Sequence, residues 1–207
     1  MSEGAAMRDV LLVEFGACRV MPWKNGGGTT REIYAHPPGA ANFDWRLSIA
    51  DIASDGPFSR FDGYARSIML LEGTGMHLTS ANDGIPFDVR VDAPFRVVDF
   101  DGGAATSCRL LAGPVRDLNI MSARDRIRHA HAVHAAFPVF PDSDAQVIHA
   151  LAGELQVTLG DGRQVTVAHG ATLLLLDARC SVQRVDAGDS ARALVVRFLP
   201  VQQERGS

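Results

Sequence analysis

Short apolar runs recur along the chain and are separated by Gly, Pro, Asn and Asp, whereas helical periodicity is scarce. Runs with this length and these boundaries predict β-strands. The predicted strands lie near residues 10–14, 30–34, 45–52, 67–71, 75–79, 87–91, 95–100, 108–111, 118–121, 146–151, 154–159, 164–167, 172–176, 181–185 and 193–198. Many short strands joined by tight turns indicate an all-β fold with few short helices, either a sandwich or a barrel.

One block of this pattern occurs twice. Residues 68–73 match residues 148–153 in spacing, and each block continues into an alternating strand, a polar turn and two further strands. In the second block, Asp161-Gly162 is a strong hairpin signal. The order of these elements is that of a cupin-type jelly roll. We therefore predict a bicupin, with two jelly-roll, cupin-like β-barrels over 8–125 and 126–200, and exchange of strands between the halves is left open.

Composition and charge narrow the classes of function. The chain is 46% apolar and 21% charged, as in an ordinary globular protein. With a net charge of −4 and no long basic block, it is a poor candidate for nucleic-acid binding. No apolar run approaches the roughly 18 residues that a membrane span needs. Three widely spaced cysteines without a CxxC pattern indicate reduced thiols, so we expect a cytoplasmic protein, with a homodimer left open.

The segment 21–32 has the composition of a recognition site. It places Gly26, Gly27 and Gly28 between a Trp-Lys-Asn cluster and a Thr-Thr-Arg-Glu cluster. Because glycine loses more backbone entropy on ordering than any other residue, such a run is expected where the backbone passes close to another group or needs positive φ. It is not a Walker loop, since Lys24 precedes the glycines. The alternative is a tight connection between two strands with solvated flanking charges.

Two predicted strands carry polar residues on one face. Within 45–51, Arg46 and Ser48 share a face, because alternate residues of a strand point the same way. A guanidinium beside a hydroxyl suits a bidentate contact with a carboxylate. Near 118–121, Asp117 and Asn119 alternate with apolar residues in the same manner. Each strand therefore forms either a pocket wall or a solvent-facing surface of a sheet.

The segment 55–63 lies between these strands and is rich in Gly, Pro and Asp. It is typical of a compact turn that closes over the mouth of a barrel. Phe58 and Phe61 are then expected to fill apolar space.

Metal binding and nucleophilic catalysis find little support. On a strand, His129 and His131 would point to the same face, with His134 nearby, but no Glu follows at a cupin-like spacing. Zinc and iron sites need at least three converging ligands, so we expect no metal and no cofactor. No G-x-S-x-G motif is present, and none of the cysteines has a neighbouring histidine.

Five segments, taken in order, resemble the signature of the HutD/Ves family: 22–32, 45–48, 55–59, 70–75 and 113–119. The resemblance implies a bicupin fold and a bacterial cytoplasmic protein associated with histidine utilisation or, in the Ves branch, with stress response. It also implies a small-molecule-binding or regulatory role. Formylglutamate and urocanate, both carboxylates of histidine breakdown, are the ligands that this role suggests.

The leading hypothesis is a metal-free site for a small anionic metabolite in the first barrel. In it Arg46 and Lys24 pair with carboxylates, and a tryptophan supplies an apolar wall. The predicted ligand-binding residues are Trp23, Lys24, Asn25, Gly26, Gly27, Thr29, Arg31, Trp45, Arg46, Ser48 and Asn119.

Two alternatives belong to other classes. A cupin-type hydrolase or isomerase acting on such a metabolite would need a general acid or base, for which Glu32 and Asp117 are the candidates. A protein-interaction role would use the glycine-rich segment as a docking loop, and it predicts no stabilisation by any small molecule.

Overall fold

A computed structural model describes residues 10–80, 86–135, 147–176 and 180–201. Within these ranges it contains one short 3-10 helix, Phe15–Ala17, and otherwise strands, which confirms the all-β prediction. The strands are β1 (Val10–Val13), β2 (Arg19–Pro22), β3 (Gly28–His36), β4 (Trp45–Ile52), β5 (Gly56–Pro57), β6 (Tyr64–Glu72), β7 (Met76–Ser80), β8 (Phe87–Val91), β9 (Val97–Asp101), β10 (Ser107–Leu110), β11 (Val115–Ala123), β12 (Ile127–His134), β13 (Val147–Ala152), β14 (Leu155–Leu159), β15 (Gln164–Val167), β16 (Thr172–Leu175), β17 (Val182–Ala187) and β18 (Arg192–Pro200).

Every predicted strand coincides with an observed one, but three observed strands, β2, β5 and β12, were not predicted. Strand β12 alternates Arg, His and Ala and therefore lacks the apolar face that signals a strand. Strands β2 and β5 are short and end at a proline, which reads as a turn signal.

The chain divides into two compact units. The N-terminal unit comprises Arg19–Arg128 together with the described residues after Phe198. The C-terminal unit comprises the described residues up to Cys18 and those of His129–Phe198. Strand β1 belongs to the C-terminal unit, where it pairs antiparallel with β16.

The N-terminal unit contains a six-stranded sheet, in the order β2-β3-β4-β11-β6-β9, and a four-stranded sheet, in the order β5-β10-β7-β8. Apolar residues from both sheets form one core. The residues of this core are Ala50, Ile52, Phe58, Ile68, Leu70, Met76, Leu78, Val91, Cys108 and Val115. The face of the six-stranded sheet that contributes Ala50, Ile68 and Leu70 is called the inner face below.

The register of the central strands decides which polar residues share the inner face. Ser48 of β4 lies opposite Asn119 of β11, which in turn lies opposite Ile68 of β6. One step along, Arg46 lies opposite Met121. Because directly opposite residues of neighbouring strands point to the same side, these side chains line one surface.

The C-terminal unit contains a five-stranded sheet, in the order β1-β16-β13-β18-β12, and a three-stranded sheet, in the order β15-β14-β17. Its apolar core includes fully buried residues such as Ile148, Leu155 and Leu173. The predicted Asp161-Gly162 hairpin joins β14 to β15, and Gly162 has φ of 85°. Only glycine adopts such a φ without strain, so the hairpin fixes this residue.

Candidate functional site

A cavity of about 570 Å³ opens onto the inner face in the N-terminal unit. Six of the eleven predicted ligand-binding residues line it, and they are Trp23, Lys24, Asn25, Arg46, Ser48 and Asn119. The other lining residues are Pro22, Thr30, Ala50, Pro57, Phe58, Ser59, Phe61, Arg66 and Met121. The predicted alternation on β4 is confirmed, since Arg46 and Ser48 line the cavity together. Phe58 and Phe61 border the cavity, as expected of the turn at 55–63.

Arg46 is held by Glu32 on the neighbouring strand. The Arg46 Nε donates to the Glu32 Oε2 over 2.8 Å, and the Arg46 side chain is 13% exposed. Its guanidinium also lies 5.9 Å from the centroid of the Phe43 ring. Glu32 itself does not line the cavity. Its position therefore suits it to orient Arg46 rather than to touch a ligand.

Arg66 is the one charged residue of the cavity lining that the sequence analysis did not predict. It lies on β6 and is only 8% exposed. Its Nε and Nη2 both donate to the Asn119 Oδ1, over 2.9 and 2.5 Å. Its guanidinium carbon lies 4.7 Å from the Phe58 ring centroid and 5.4 Å from that of Phe100. Within the described part of the chain, Arg66 forms no ion pair with a carboxylate, and burial lowers its pKa to about 10.

Asp117 is a buried carboxyl next to this cation. It is fully inaccessible, and its Oδ1 accepts a hydrogen bond from Asn119 Nδ2 over 2.7 Å. Burial raises the pKa of Asp117 to about 7, opposed by the charge of Arg66 and the hydrogen bond from Asn119. Asn119 therefore bridges the two ionisable groups, accepting from Arg66 and donating to Asp117. Asp117 does not line the cavity, so it has no direct access to a ligand there.

Replacing Asp117 with asparagine should stabilise the protein at alkaline pH. Since the folded-state pKa lies above the unfolded value of 3.8, the folded state holds the proton more tightly. That contribution to stability is full below the unfolded pKa and is lost as pH rises through about 7. Between pH 5 and pH 8 the free energy of unfolding of D117N should rise relative to wild type by about 2–3 kcal/mol. Urea unfolding of both proteins at the two pH values measures this change. The prediction is wrong if D117N and wild type differ by the same free energy of unfolding at pH 5 and at pH 8.

The glycine-rich segment forms the turn between β2 and β3 and also borders the cavity. Two hydrogen bonds close the turn: Trp23 N–H donates to Gly28 O over 2.9 Å, and Gly26 N–H donates to Trp23 O over 3.0 Å. The indole Nε1 of Trp23 donates to Thr30 Oγ1 over 2.8 Å, which fixes the ring at the cavity wall. Gly26 has φ of 71°. A Cβ at Gly28 would overlap the backbone oxygen of Asp51 and lie 3.2 Å from the Trp23 ring.

Five predicted ligand-binding residues do not line the cavity. Thr29 and Arg31 point to the opposite face of β3, where both contact Asp51, with Arg31 Nη1 and Asp51 Oδ2 2.5 Å apart. Trp45 is buried on the opposite face of β4, and its ring centroid lies 5.3 Å from that of Tyr34. The remaining two, Gly26 and Gly27, lie at the tip of the turn. The two-residue period of the strands separates the first three from Arg46 and Ser48.

The histidines on β12 are not part of a group of three or more metal-binding side chains among the described residues. The His129 and His131 ring centroids lie 6.2 Å apart. In residues 10–80, 86–135, 147–176 and 180–201, no group of three or more His, Cys, Asp or Glu residues has a metal-binding arrangement. Over the same ranges, none of the helical structure is long and apolar enough to cross a membrane.

The fold and the cavity define an all-β, cupin-like protein with an arginine-lined site. A cupin 2 conserved barrel domain protein from Leptotrichia buccalis superposes with a TM-score of 0.56 at 11% identity, over 91% of this chain and 96% of that one. At this identity the likeness shows the fold alone.

The chain belongs to the HutD family, because the family model described as HutD matches residues 16–194. The structure of HutD from Pseudomonas fluorescens SBW25 superposes with a TM-score of 0.75 at 29% identity, over 93% of this chain and 100% of that one. Protein Ves of Citrobacter koseri is 37% identical over 77% of this chain and 82% of its own length. An uncharacterized 21.2 kDa Pseudomonas putida protein, from the hutC 3′ region, is 49% identical over 52% of this chain. That match spans 55% of the Pseudomonas putida protein, about half its length.

Proposed function

We propose that this protein binds a small anionic metabolite in the cavity of the N-terminal unit, without a metal, and thereby regulates histidine degradation. The observation that carries the proposal is Arg66. A buried guanidinium needs partners that replace its lost hydration. Here Arg66 donates hydrogen bonds to the Asn119 amide oxygen and lies over the Phe58 ring. A ligand carboxylate would supply the missing counter-charge.

The charge balance of the cavity also favours an anion. Lys24 is the only lysine in the chain, and it lines the cavity together with Arg46 and Arg66. Two nearby carboxyls, Glu32 and Asp117, oppose these three cations. The resulting excess of positive charge suits a carboxylate ligand, and a volume of about 570 Å³ is that of small-molecule sites in general.

The class of ligand is inferred from the family. Association with histidine utilisation, together with a relative from a hutC 3′ region, supports a formylglutamate-like or urocanate-like carboxylate. We further infer that each unit is a cupin-like barrel, which the repeated sequence block supports. A cytoplasmic location, with this metabolite rather than nucleic acid or membrane lipid as the partner, is part of the same proposal.

The test is calorimetric titration of the wild-type protein with N-formyl-L-glutamate and urocanate, with N-formyl-L-glutamate dimethyl ester as the uncharged control. We expect micromolar binding of at least one anion and none of the ester. A ligand at a hundredfold excess over Kd should raise the free energy of unfolding by about 2.7 kcal/mol. If neither anion binds or stabilises the protein, the binding proposal is wrong, and the protein-interaction alternative is favoured.

Arg46→Ala should weaken anion binding by about tenfold to a hundredfold, the equivalent of about 1.5–3 kcal/mol for a hydrogen bond to a charged group. Its free energy of unfolding should stay close to wild type, because the Glu32 side chain is 38% exposed and water can solvate it once Arg46 is removed. Arg116→Ala is the matched control, since Arg116 pairs with Asp51 on the opposite face of the same sheet. Arg46 would be structural if R46A lost stability and affinity in equal measure.

A second candidate function is favoured by one observation, the raised pKa of Asp117. A carboxyl that titrates near neutral pH is suited to general acid–base catalysis by a cupin-type hydrolase or isomerase. Formate release from N-formyl-L-glutamate, or turnover of urocanate, would support it if Asp117→Asn or Glu32→Gln abolished the reaction. Neither carboxyl lines the cavity, so binding is the function that we favour.

A further inference from the structure

One buried oxygen at this site is unsatisfied. Of the buried side-chain nitrogen and oxygen atoms in the described residues, Asp117 Oδ2 alone has no hydrogen-bond partner. The other oxygen, Oδ1, accepts from Asn119 Nδ2 over 2.7 Å. A buried carboxylate oxygen without a donor is unfavourable when charged. A proton on Oδ2 removes the charge and leaves the hydrogen bond to Oδ1 intact.

The charged and titratable groups that act on the Asp117 carboxyl come from three neighbouring strands. They are Asp51 on β4, Arg66 on β6 and Cys108 on β10. Of these, Arg66 is the cation that most lowers the pKa of Asp117, whereas Asp51 raises it. The charge of Arg66 is therefore the largest support of the ionised form of Asp117, beside hydrogen bonds from Asn119 and from the backbone N–H of Ala50.

An anion in the cavity would remove that support. It would pair with Arg66 across Asn119 from Asp117, and it would add a negative charge of its own close to the carboxylate. Both changes disfavour the ionised carboxyl. We propose that an anion entering this cavity is accompanied by one proton from the solvent, which Asp117 Oδ2 holds while the anion is bound. This inference rests on the proposed function, because it requires that the cavity bind an anion.

The consequence is an affinity that depends on pH. In the empty site Asp117 has a pKa of about 7, so the proton is present at pH 6 and mostly absent at pH 8. Binding at pH 8 must then take up the proton, and the Kd for N-formyl-L-glutamate should be about tenfold higher at pH 8 than at pH 6. Both carboxyls of that ligand are ionised throughout this range, so the change belongs to the protein.

The experiment is calorimetric titration of the full chain with N-formyl-L-glutamate and with glutarate at pH 6 and pH 8. At pH 8 the titration is repeated in two buffers that differ in ionisation enthalpy, because the difference in heat reports the protons taken up. We expect close to one proton per bound anion and a roughly tenfold change in Kd. This measurement needs no variant.

The variant Asp117→Asn tests whether Asp117 is the residue that takes up the proton when the anion binds. Its amide oxygen can still accept from Asn119, so D117N should bind at both pH values with the affinity that wild type has at pH 6. Glu72→Gln is the matched control, because it removes a carboxylate that pairs with Arg116 instead. E72Q should retain the wild-type pH profile.

Each outcome decides between the two claims. Tight binding with a pH-independent Kd and no proton uptake overturns this inference and leaves the proposed function standing. A pH profile that persists in D117N overturns the assignment to Asp117. Absence of binding by N-formyl-L-glutamate, glutarate and urocanate at both pH values overturns the proposed function, and this inference with it.

Discussion

Replacing Arg66 with methionine is expected to abolish detectable anion binding. Arg66 is the most deeply buried cation in the cavity, and without it a ligand carboxylate would lose the counter-charge that water screens least. Removing one partner of a buried ion pair costs about 3–5 kcal/mol, which exceeds the expected effect of removing Arg46. The measurement is calorimetric titration with N-formyl-L-glutamate.

The effect of Arg66→Met on folding should be smaller. Methionine fills similar apolar space between Phe58 and Phe100, and the cost of burying the guanidinium disappears. The Asn119 Oδ1 loses its donors, for which we expect a loss of about 1–2 kcal/mol in the free energy of unfolding. Arg66→Lys is the second variant: it keeps the charge but not the planar donor fork, so intermediate affinity is expected.

Arg109→Met provides the control for Arg66→Met. Arg109 lies exposed on β10 and contacts His77, outside the cavity. Its replacement should change neither affinity nor stability appreciably. Retention of full affinity in R66M would show that the buried guanidinium has a purely structural role.

Replacing Gly28 with alanine should destabilise the N-terminal unit more than any other change in the glycine run. A Cβ there would overlap the backbone oxygen of Asp51 on β4, and backbone cannot move aside without disturbing the pairing of β3 with β4. Overpacking of this kind costs about 3 kcal/mol. The same Cβ would press on the Trp23 ring, so anion affinity should fall as well.

Gly26→Ala separates close approach from backbone conformation. Gly26 has φ of 71°, but a Cβ there would meet no atom within 4 Å. Only the cost of a left-handed residue remains, about 1–2 kcal/mol. Urea unfolding of G26A and G28A measures the difference through the transition midpoints. Equal destabilisation would mean that the close approach of Gly28 to Asp51 costs no more than the left-handed φ of Gly26, because Gly28 itself has no positive φ.

The sequence predicted those parts of the site that depend on local pattern. Alternation on β4 was enough to place Arg46 and Ser48 on one face, because the two-residue period of a strand is local. The same period placed Trp45 on the opposite face from Arg46, yet both were proposed as ligand-binding residues. The composition of the glycine-rich segment correctly indicated Trp23, Lys24 and Asn25. It also indicated Thr29 and Arg31, which point away from the cavity.

Arg66 could not be found in this way. It precedes the predicted strand 67–71, where an arginine is ordinarily a solvated flanking residue. The rings of Phe58 and Phe100 bury it, and its hydrogen-bond partner Asn119 is 53 residues away along the chain. Asp117 has the same limitation, because its pKa follows from burial and from Arg66. Non-local packing, rather than any pattern along the chain, creates the ionised cluster of this site.

The position of Lys24 gives the cavity a selective chemical handle. Every other basic side chain of the protein is an arginine or a histidine, so reductive methylation of amines modifies one side chain, that of Lys24, besides the α-amine of the chain. Dimethylation keeps the positive charge with which Lys24 is proposed to attract an anion. An NMR-active isotope in the added methyl groups would therefore report what enters the cavity that Lys24 borders, with no residue substituted.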